Sequence, residues 1–413
     1  MRIYISGISG TAMGPLALMA KEAGFSVAGS DLNEGAVTRE LKGAGIEFRI
    51  GEQDGKFLEE KNKEQKIDWF VYTSALPKDH KELLKAKKLG IKTSKRDELI
   101  AFLVEKLKLK MIAVAGTHGK TTTTAGIVFL AKKLELPVSW LVGTTMSFAE
   151  AGKYIPKSKY LIYEADEYDR NFLFFHPRLS VIPSVSYDHP DIYPTEADYK
   201  AAFAQFIRQS ERVILKPKIS PKKLKLAGEV RRFDLALGIE AVKFMLFEEG
   251  REATDEELIK LADEFPGVGR RFEKIVEGVY SDYAHHPEEI QATIGIAKEE
   301  AKRLNKKGVV VVYEPHQNTR QHEVFDGYKK AFLGAEKVFW APTYLTRENK
   351  DLPIISPREF VSSLENFEVG EEAELNEALM LRLKNYLAED YLVLMMTAGP
   401  GDKWLREGFK TSC

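Results

Sequence analysis

Apolar residues along this chain fall into short, nearly continuous runs, and between them stand longer stretches whose apolar positions recur at helical spacing. The first run, residues 2–6, enters a glycine-rich turn at 7–14 and a helical stretch at 11–23. A second run at 26–29 stops at Asp31. Helices are predicted near 35–44, 80–89 and 96–107, with a strand at 69–73 among them. A second series of strands is predicted near 111–115, 160–164, 179–185 and 211–215. A third lies at 279–283, 308–313, 336–341 and 391–397. Strands that are apolar throughout and spaced by helices belong to parallel sheets covered on both faces, so the fold class expected is α/β, doubly wound.

Length then divides that pattern. At 413 residues the chain exceeds what one hydrophobic core usually organises, and two or three domains are expected. The charged stretch Glu105 to Lys110 suggests a boundary near 108. Lys216 to Lys225, with Pro217 and Pro221, reads as a surface excursion, and Phe265 to Gly269 reads as an interdomain hinge. Charge narrows the partners: 61 Lys+Arg against 62 Asp+Glu argues against a nucleic-acid binder that works through bulk positive charge. The single cysteine is Cys413, so disulfides and cysteine-metal sites are excluded. No apolar run approaches the ~20 residues of a membrane span, and no leader pattern precedes the first strand. A cytoplasmic protein that engages neither membrane nor nucleic acid is expected, as a monomer or homodimer.

Candidate chemistry sits where strands end. The run from Ala113 to Thr124, Ala-Val-Ala-Gly-Thr-His-Gly-Lys-Thr-Thr-Thr-Thr, is an apolar strand opening into a glycine-framed loop and then a helix. Gly116, Thr117, His118 and Gly119 would turn backbone N–H groups toward an anion at the helix start. Lys120 would reach terminal phosphates, Thr121 would hold a magnesium ion, and Thr122 in the first turn would also contact ATP. The strict phosphate-loop pattern is not met, because Val114 occupies the place of its first glycine. A second strand ends in Glu164, Asp166, Glu167 and Asp169, and a third is followed by Asp188 and His189. Carboxylates beside a triphosphate need a divalent cation between them, so Mg2+ bound by Thr121, Glu164 and His189 is the expected metal site.

The turn Gly7, Ser9, Gly10, Thr11 through Gly14 also joins a strand to a helix, where a pyrophosphate would be favoured, and Asp31 ends the next strand where a ribose hydroxyl could bind. In the last third, Asp282-Tyr283-Ala284-His285-His286-Pro287, His316 to Arg320, and Gly399 to Asp402 each follow an apolar strand. The paired histidines do not read as zinc ligands, since neighbours on an extended segment point to opposite sides.

Taken in order, Gly116 to Thr121, Glu164 to Glu167, Asp188-His189, Asp282 to Pro287 and Gly399 to Asp402 resemble the motifs of the Mur ligases, the ATP-dependent amide-forming enzymes of peptidoglycan precursor synthesis and cell wall biogenesis. The resemblance spans nearly the full length and lies closest to the alanine-adding members. It implies three domains: a Rossmann-like UDP-sugar domain at 1–108, a shortened P-loop ATPase-like domain at 109–265, and a Rossmann-like amino-acid domain at 266–413. It implies ATP and Mg2+ as cofactors, and UDP-N-acetylmuramate and L-alanine as substrates, joined through an acyl phosphate. Gly7, Ser9, Gly10, Thr11, Met13, Asp31 and Ser74 would contact the UDP-sugar. Lys120, His285 and Arg320 would be catalytic, Asp282 would join the phosphate loop in holding ATP, and Tyr283, His285 and Arg320 would face the amino acid and the muramate carboxylate.

Two departures stand out. Gln317 follows His316 where the alanine-adding enzymes carry arginine, leaving Arg320 alone. The Gly-x-His-Asn segment that helps hold adenine in the family is replaced by Gly228 to Leu235, without asparagine, which leaves two alternatives: Arg231, Arg232 and Asp234 substitute for it, or the nucleotide preference is relaxed. Gly7 to Met13 and Glu167 to Asp169 resemble the version found in the ligase that recycles a ready-made tripeptide. A homologue that binds the UDP-sugar without catalysis is a third reading, which the retention of Lys120, Thr121, Glu164 and His189 opposes.

Overall fold

The computed structural model describes residues 1–410 apart from 36, 74, 75, 347 and 350. Three sheets follow one another along the chain. The first holds β1 (Arg2–Ser6), β2 (Ser26–Asp31), β3 (Glu47–Ile50), β4 (Trp69–Tyr72) and β5 (Lys92–Lys95) in the order β3-β2-β1-β4-β5, all parallel. The second holds β6 (Lys110–Val114), β7 (Val138–Leu141), β8 (Gly152–Lys153), β9 (Tyr160–Glu164), β10 (Leu179–Val181) and β11 (Val213–Ile214) in the order β11-β10-β6-β9-β7-β8, parallel except at β7–β8. The third holds β12 (Glu273–Val276), β13 (Val279–Asp282), β14 (Gly308–Glu314), β15 (Lys337–Trp340), β16 (Gly370–Glu372) and β17 (Tyr391–Thr397) in the order β12-β13-β17-β14-β15-β16, parallel except at β12–β13.

Both the glycine turn after β1 and the phosphate loop after β6 leave strands whose two neighbours were laid down in opposite directions across the sheet. That is the switch-point crevice where open α/β sheets take ligands. Strands missed by pattern are mostly edges. β3 reads Glu-Phe-Arg-Ile and β5 reads Lys-Thr-Ser-Lys, half-exposed segments with too little apolar content to stand out. The strand expected at 179–185 stops at Val181. The residues beyond it leave the ladder to meet the phosphate loop.

The chain divides into two compact units, one of Met1–Leu224 with Phe233–Pro266 and one of Lys225–Arg232 with Gly267 to the C-terminus. The first two sheets share a continuous core: Ile3, Ile5, Leu16, Leu99 and Leu103 join Met111, Ala113, Leu161, Tyr163, Phe172 and Tyr199. Full burial of such side chains is worth about 1.5–3 kcal/mol each, so the two sheets are held by the dominant folding force and not by surface contacts alone. Where the Met13–Glu22 helix meets β8, backbones nearly touch, and a Cβ on Gly152 would stand 2.3 Å from the Pro15 carbonyl oxygen. Only glycine fits there. Glu22 fastens the same seam, accepting from the Tyr154 N–H at 2.7 Å and pairing with Lys153 at 2.8 Å.

In the second unit β13, β17, β14 and β15 are buried throughout or nearly so, sandwiched between two apolar clusters. Among the described residues no helix is long and apolar enough to cross a membrane.

Candidate active site

The phosphate loop is held by contacts within the protein. β6 is buried up to Val114, Ala115 donates to the Val181 carbonyl at 3.1 Å, and the chain turns through Gly116 and Gly119 into the Lys120–Lys133 helix. Gly119 is required twice over. Its φ is +83°, and a Cβ would lie 2.5 Å from Asp234 Oδ1 and 2.9 Å from Pro183 Cβ. Thr117 Oγ1 donates to the Ser186 carbonyl at 2.7 Å, accepts from the Ser186 N–H at 2.8 Å, and lies 2.8 Å from the Tyr199 hydroxyl. His118 donates its N–H to Ser184 Oγ at 2.9 Å. These contacts fix the loop on the segment that follows β10. Thr122 is buried in the first helical turn.

Lys120 folds back over its own loop. Its Nζ lies 2.5 Å from the Gly116 carbonyl oxygen and 2.9 Å from Glu167 Oε1. Burial alone would lower the ammonium pKa, but the buried Glu167 carboxylate outweighs it and raises it, so Lys120 stays charged. Burial likewise pushes Glu167 up, and Lys120 and His189 more than reverse that, holding it below the usual carboxyl range. A charged lysine, a glycine cradle and an open first helical turn together fit a polyphosphate.

Thr121 Oγ1 donates to Glu164 Oε1 at 2.7 Å, and Gly143 donates its N–H to Glu164 Oε2 at 2.9 Å. This hydroxyl and carboxylate are the hard oxygen donors that magnesium prefers. His189, in the left-handed region at φ +58°, aims Nε2 at Glu167 Oε1 and Asp188 Oδ2, each at 3.6 Å. Of the three expected metal ligands, the structure therefore joins Thr121 to Glu164 and sets His189 on the carboxylate that holds Lys120. Among the described residues no three His, Cys, Asp or Glu side chains form a cage; magnesium is commonly held by one or two protein oxygens together with waters and substrate phosphates.

The glycine turn after β1 differs in detail from expectation. Gly7 and Ile8 donate to the Ser30 carbonyl, and Asp31 spends its carboxylate on the Ser9 N–H at 2.8 Å and the Asn33 N–H at 3.4 Å. Asp31 thus braces the turn, whereas a ribose-binding aspartate would point outward. Met13 is 2% exposed inside the core, a packing position and not a contact for the UDP-sugar. Gly10 and Thr11 stand exposed on the turn, and Ser74 lies outside the described residues. Beneath the turn, the buried Glu82 accepts from Tyr4, Ser6, Ser30 and Gln53 at 2.7–3.1 Å. That network joins β1, β2 and the loop after β3 to the Lys81–Lys88 helix, and no local pattern announces it.

In the second unit, Asp282 turns inward and accepts from the Phe272 N–H at 2.6 Å and the Ala284 N–H at 2.7 Å. Both carboxylate oxygens, expected on ATP, thus meet backbone N–H groups of its own unit, and burial raises its pKa. His285 Nδ1 sits 3.0 Å from the Tyr283 carbonyl, which can only accept, so the proton is on Nδ1 and Nε2 carries the lone pair. Burial lowers the His285 pKa; Glu289, 3.4 Å from Nδ1, works against it, and Arg320 on the Asn318–Val324 helix opposes protonation further, so the net direction is downward. The guanidinium carbons of Arg270 and Arg271 lie 4.7 and 5.2 Å from the centre of the Tyr283 ring. Neither arginine was singled out from sequence, although the doubled Arg270-Arg271 after a glycine-rich hinge was a visible cue. Of the substitutes expected for adenine, Arg232 is committed to Glu299 and the Leu226 carbonyl, and Arg231 lies over the Phe272 ring.

Comparison with known proteins fits this geometry. The profile of the Mur ligase family catalytic domain matches residues 2–107, and that of the Mur ligase middle domain matches residues 114–224. A UDP-N-acetylmuramate--L-alanine ligase of Caldicellulosiruptor saccharolyticus is 31% identical over 404 residues, covering 84% of this chain and 85% of that protein. The crystal structure of the UDP-N-acetylmuramate-alanine ligase of Thermotoga maritima superposes with a TM-score of 0.78 at 24% identity, over 100% of this chain and 99% of that one. A murein peptide ligase from Psychrobacter arcticus superposes with a TM-score of 0.63 at 20% identity, over 99% and 98%. With its two matched domains, its full-length relatives and its three parallel-rich sheets, the chain belongs to the Mur ligase family.

Proposed function

We propose that this protein is an ATP-dependent ligase that joins L-alanine to the carboxylate of UDP-N-acetylmuramate through an acyl phosphate, a C–N bond-forming step of peptidoglycan precursor synthesis. The observation that carries the reading is the charged, partly buried Lys120 at the mouth of a glycine cradle, with Thr121 and Glu164 paired beside it. Forming an acyl phosphate brings two anions together, so most of the barrier is charge repulsion and alignment. Lys120 would neutralise the terminal phosphates, and Thr121 and Glu164 would hold magnesium, which supplies further positive charge at the transferring group. His189 would hold Glu167 and, through it, Lys120.

The second half of the reaction needs a neutral amine. His285, kept neutral by burial and with Nε2 unprotonated, is a suitable base. Arg320 would grip a substrate carboxylate with its planar fork, and Tyr283 would flank the amino acid. The proposed place of action is the cytoplasm, where ATP and UDP-sugars are both supplied.

A second acceptor is favoured by the resemblance of Gly7 to Met13 and Glu167 to Asp169 to the recycling ligase: a preformed tripeptide in place of alanine. One experiment divides the two. Purified protein is incubated with UDP-N-acetylmuramate, Mg-ATP and either L-alanine or the tripeptide, and phosphate release and product mass are followed together. Alanine-dependent phosphate release with the alanyl product supports the first reading, and turnover with the tripeptide alone supports the second. Phosphate without an amide product under both conditions overturns both.

A further inference from the structure

The loop that follows β9 is held from two sides, and its carboxylates alternate between them. Glu164 and Glu167 face the phosphate loop, meeting Thr121 at 2.7 Å and Lys120 at 2.9 Å. Asp166 and Asp169 face the other way, toward the end of β5 in the first sheet. Lys95 pairs with Asp169, and Arg96 Nη2 lies 3.6 Å from Asp166 Oδ2 and 3.4 Å from the buried Asp97. Tyr163, the residue before Glu164, donates its hydroxyl to that same Asp97 at 3.4 Å.

Two consecutive non-glycine residues of this loop, Asp169 and Arg170, lie in the left-handed region at φ +53° and +59°. Such a conformation persists only where surrounding contacts impose it. Here the contacts are the Lys95–Asp169 pair, Arg170 at 5.0 Å over the Tyr193 ring, and the Tyr193 hydroxyl donating to the Glu167 carbonyl at 2.5 Å. These contacts link the β5 end to the segment that carries Glu164 and Glu167, the groups that would face phosphate and metal.

We propose that Lys95 and Arg96 are positioning residues for phosphoryl transfer: they register the Glu164–Asp169 loop against the sheet that carries the UDP-sugar turn, so that the muramate carboxylate and the terminal phosphate meet at reacting distance. This rests on the ligase reading above. Neither side chain needs to touch ATP, because their effect passes through Asp166 and Asp169 to the carboxylates three or fewer residues away. Misplacement of about 1 Å at a reacting centre costs on the order of 10²-fold in rate.

The test uses full-length Lys95→Ala, Lys95→Arg and Arg96→Gln. Wild-type phosphate release dependent on UDP-N-acetylmuramate is measured first, and its absence overturns the ligase reading itself together with this proposal. Given that activity, affinities for a non-hydrolysable ATP analogue and for UDP-N-acetylmuramate are measured by calorimetry, beside kcat and the thermal midpoint. The expected result is that kcat falls roughly 10–100-fold in Lys95→Ala and Arg96→Gln. Both affinities stay within about twofold, and Lys95→Arg, which keeps the charge that pairs with Asp169, stays close to wild type. A kcat within twofold of wild type in both variants overturns the proposal. So does a loss of ATP-analogue affinity in step with kcat, which would show collapse of the loop in place of a lost alignment. If Arg96→Gln does not fold, the comparison of Lys95→Ala with Lys95→Arg decides alone.

Discussion

Lys120 and Glu167 make each other tolerable in a buried place, and separating them should show which role each plays. The Glu167 side chain is 2% exposed and the Lys120 side chain 17%. Removing one member of a buried pair costs about 3–5 kcal/mol because the other charge is stranded, and the residual exposure of Lys120 places the effect at the lower end. We expect Lys120→Met to lower unfolding free energy by about 3 kcal/mol and to abolish turnover. The double variant Lys120→Met, Glu167→Gln should regain most of the stability and none of the activity, as read by urea denaturation and phosphate release. His285 gives a second expectation at this scale. Its pKa lies below the ordinary 6.5, chiefly through burial, so a base at this position remains competent down into mildly acidic solution. The acid limb of the kcat/KM profile should fall below pH 6.5, and His285→Gln should remove that limb along with most of the rate.

At the scale of elements, stability depends on ion pairs that tie strands to the helices covering them. Glu248, at the end of the Glu229–Glu248 helix, pairs with Arg178 at 2.5 Å before β10 and with Lys110 at 2.8 Å in β6. The Arg178 guanidinium, with help from Lys110, holds the Glu248 carboxyl at about 2, below the ordinary 4.5. A folded-state pKa lowered in this way gives stability that is complete above about pH 4.5 and is lost as pH falls toward 2. Wild type should therefore exceed Glu248→Gln in urea midpoint at pH 7, and the difference should shrink at pH 3. Glu371 in the second unit, held at about 2 by Arg382 and Lys337, predicts the same dependence for that unit. Equal differences at both pH values would contradict the assignment.

For the whole molecule, ligand binding and folding are one equilibrium. A nucleotide that binds only the folded chain at 100 times its Kd stabilises it by about 2.7 kcal/mol, so Mg-ATP should raise the thermal midpoint and EDTA should reduce that rise. Nucleotide choice is a sharper test. No asparagine stands in the Gly228–Leu235 segment, and Arg232 is occupied by Glu299. GTP is expected to compete with ATP within about tenfold, which is ~1.4 kcal/mol of discrimination, the worth of about one hydrogen bond. A preference for ATP above a hundredfold, measured by competition calorimetry, would place an adenine-reading group elsewhere in the chain.

Local pattern along the chain was enough for the alternation of strands and helices, the phosphate loop and the order of the motifs. Each of these rests on neighbours in the chain: apolar runs, glycine where φ must be positive, and lysine and threonine at a helix start. The inner strands β6, β9, β14 and β17 were legible because burial on both faces writes itself as continuous apolar sequence. Edge strands β3 and β5 were not, since their polar residues face solvent on a sheet margin. Side-chain assignments divided the same way. That Glu164 sits beside Thr121 followed from strand ends converging on one crevice. That Asp31 and Asp282 turn inward to backbone N–H groups, that Met13 packs in the core, and that Glu167 and not Glu164 receives His189 depended on orientation. Orientation is set by groups tens of residues away, and only the folded chain brings those groups within hydrogen-bonding distance.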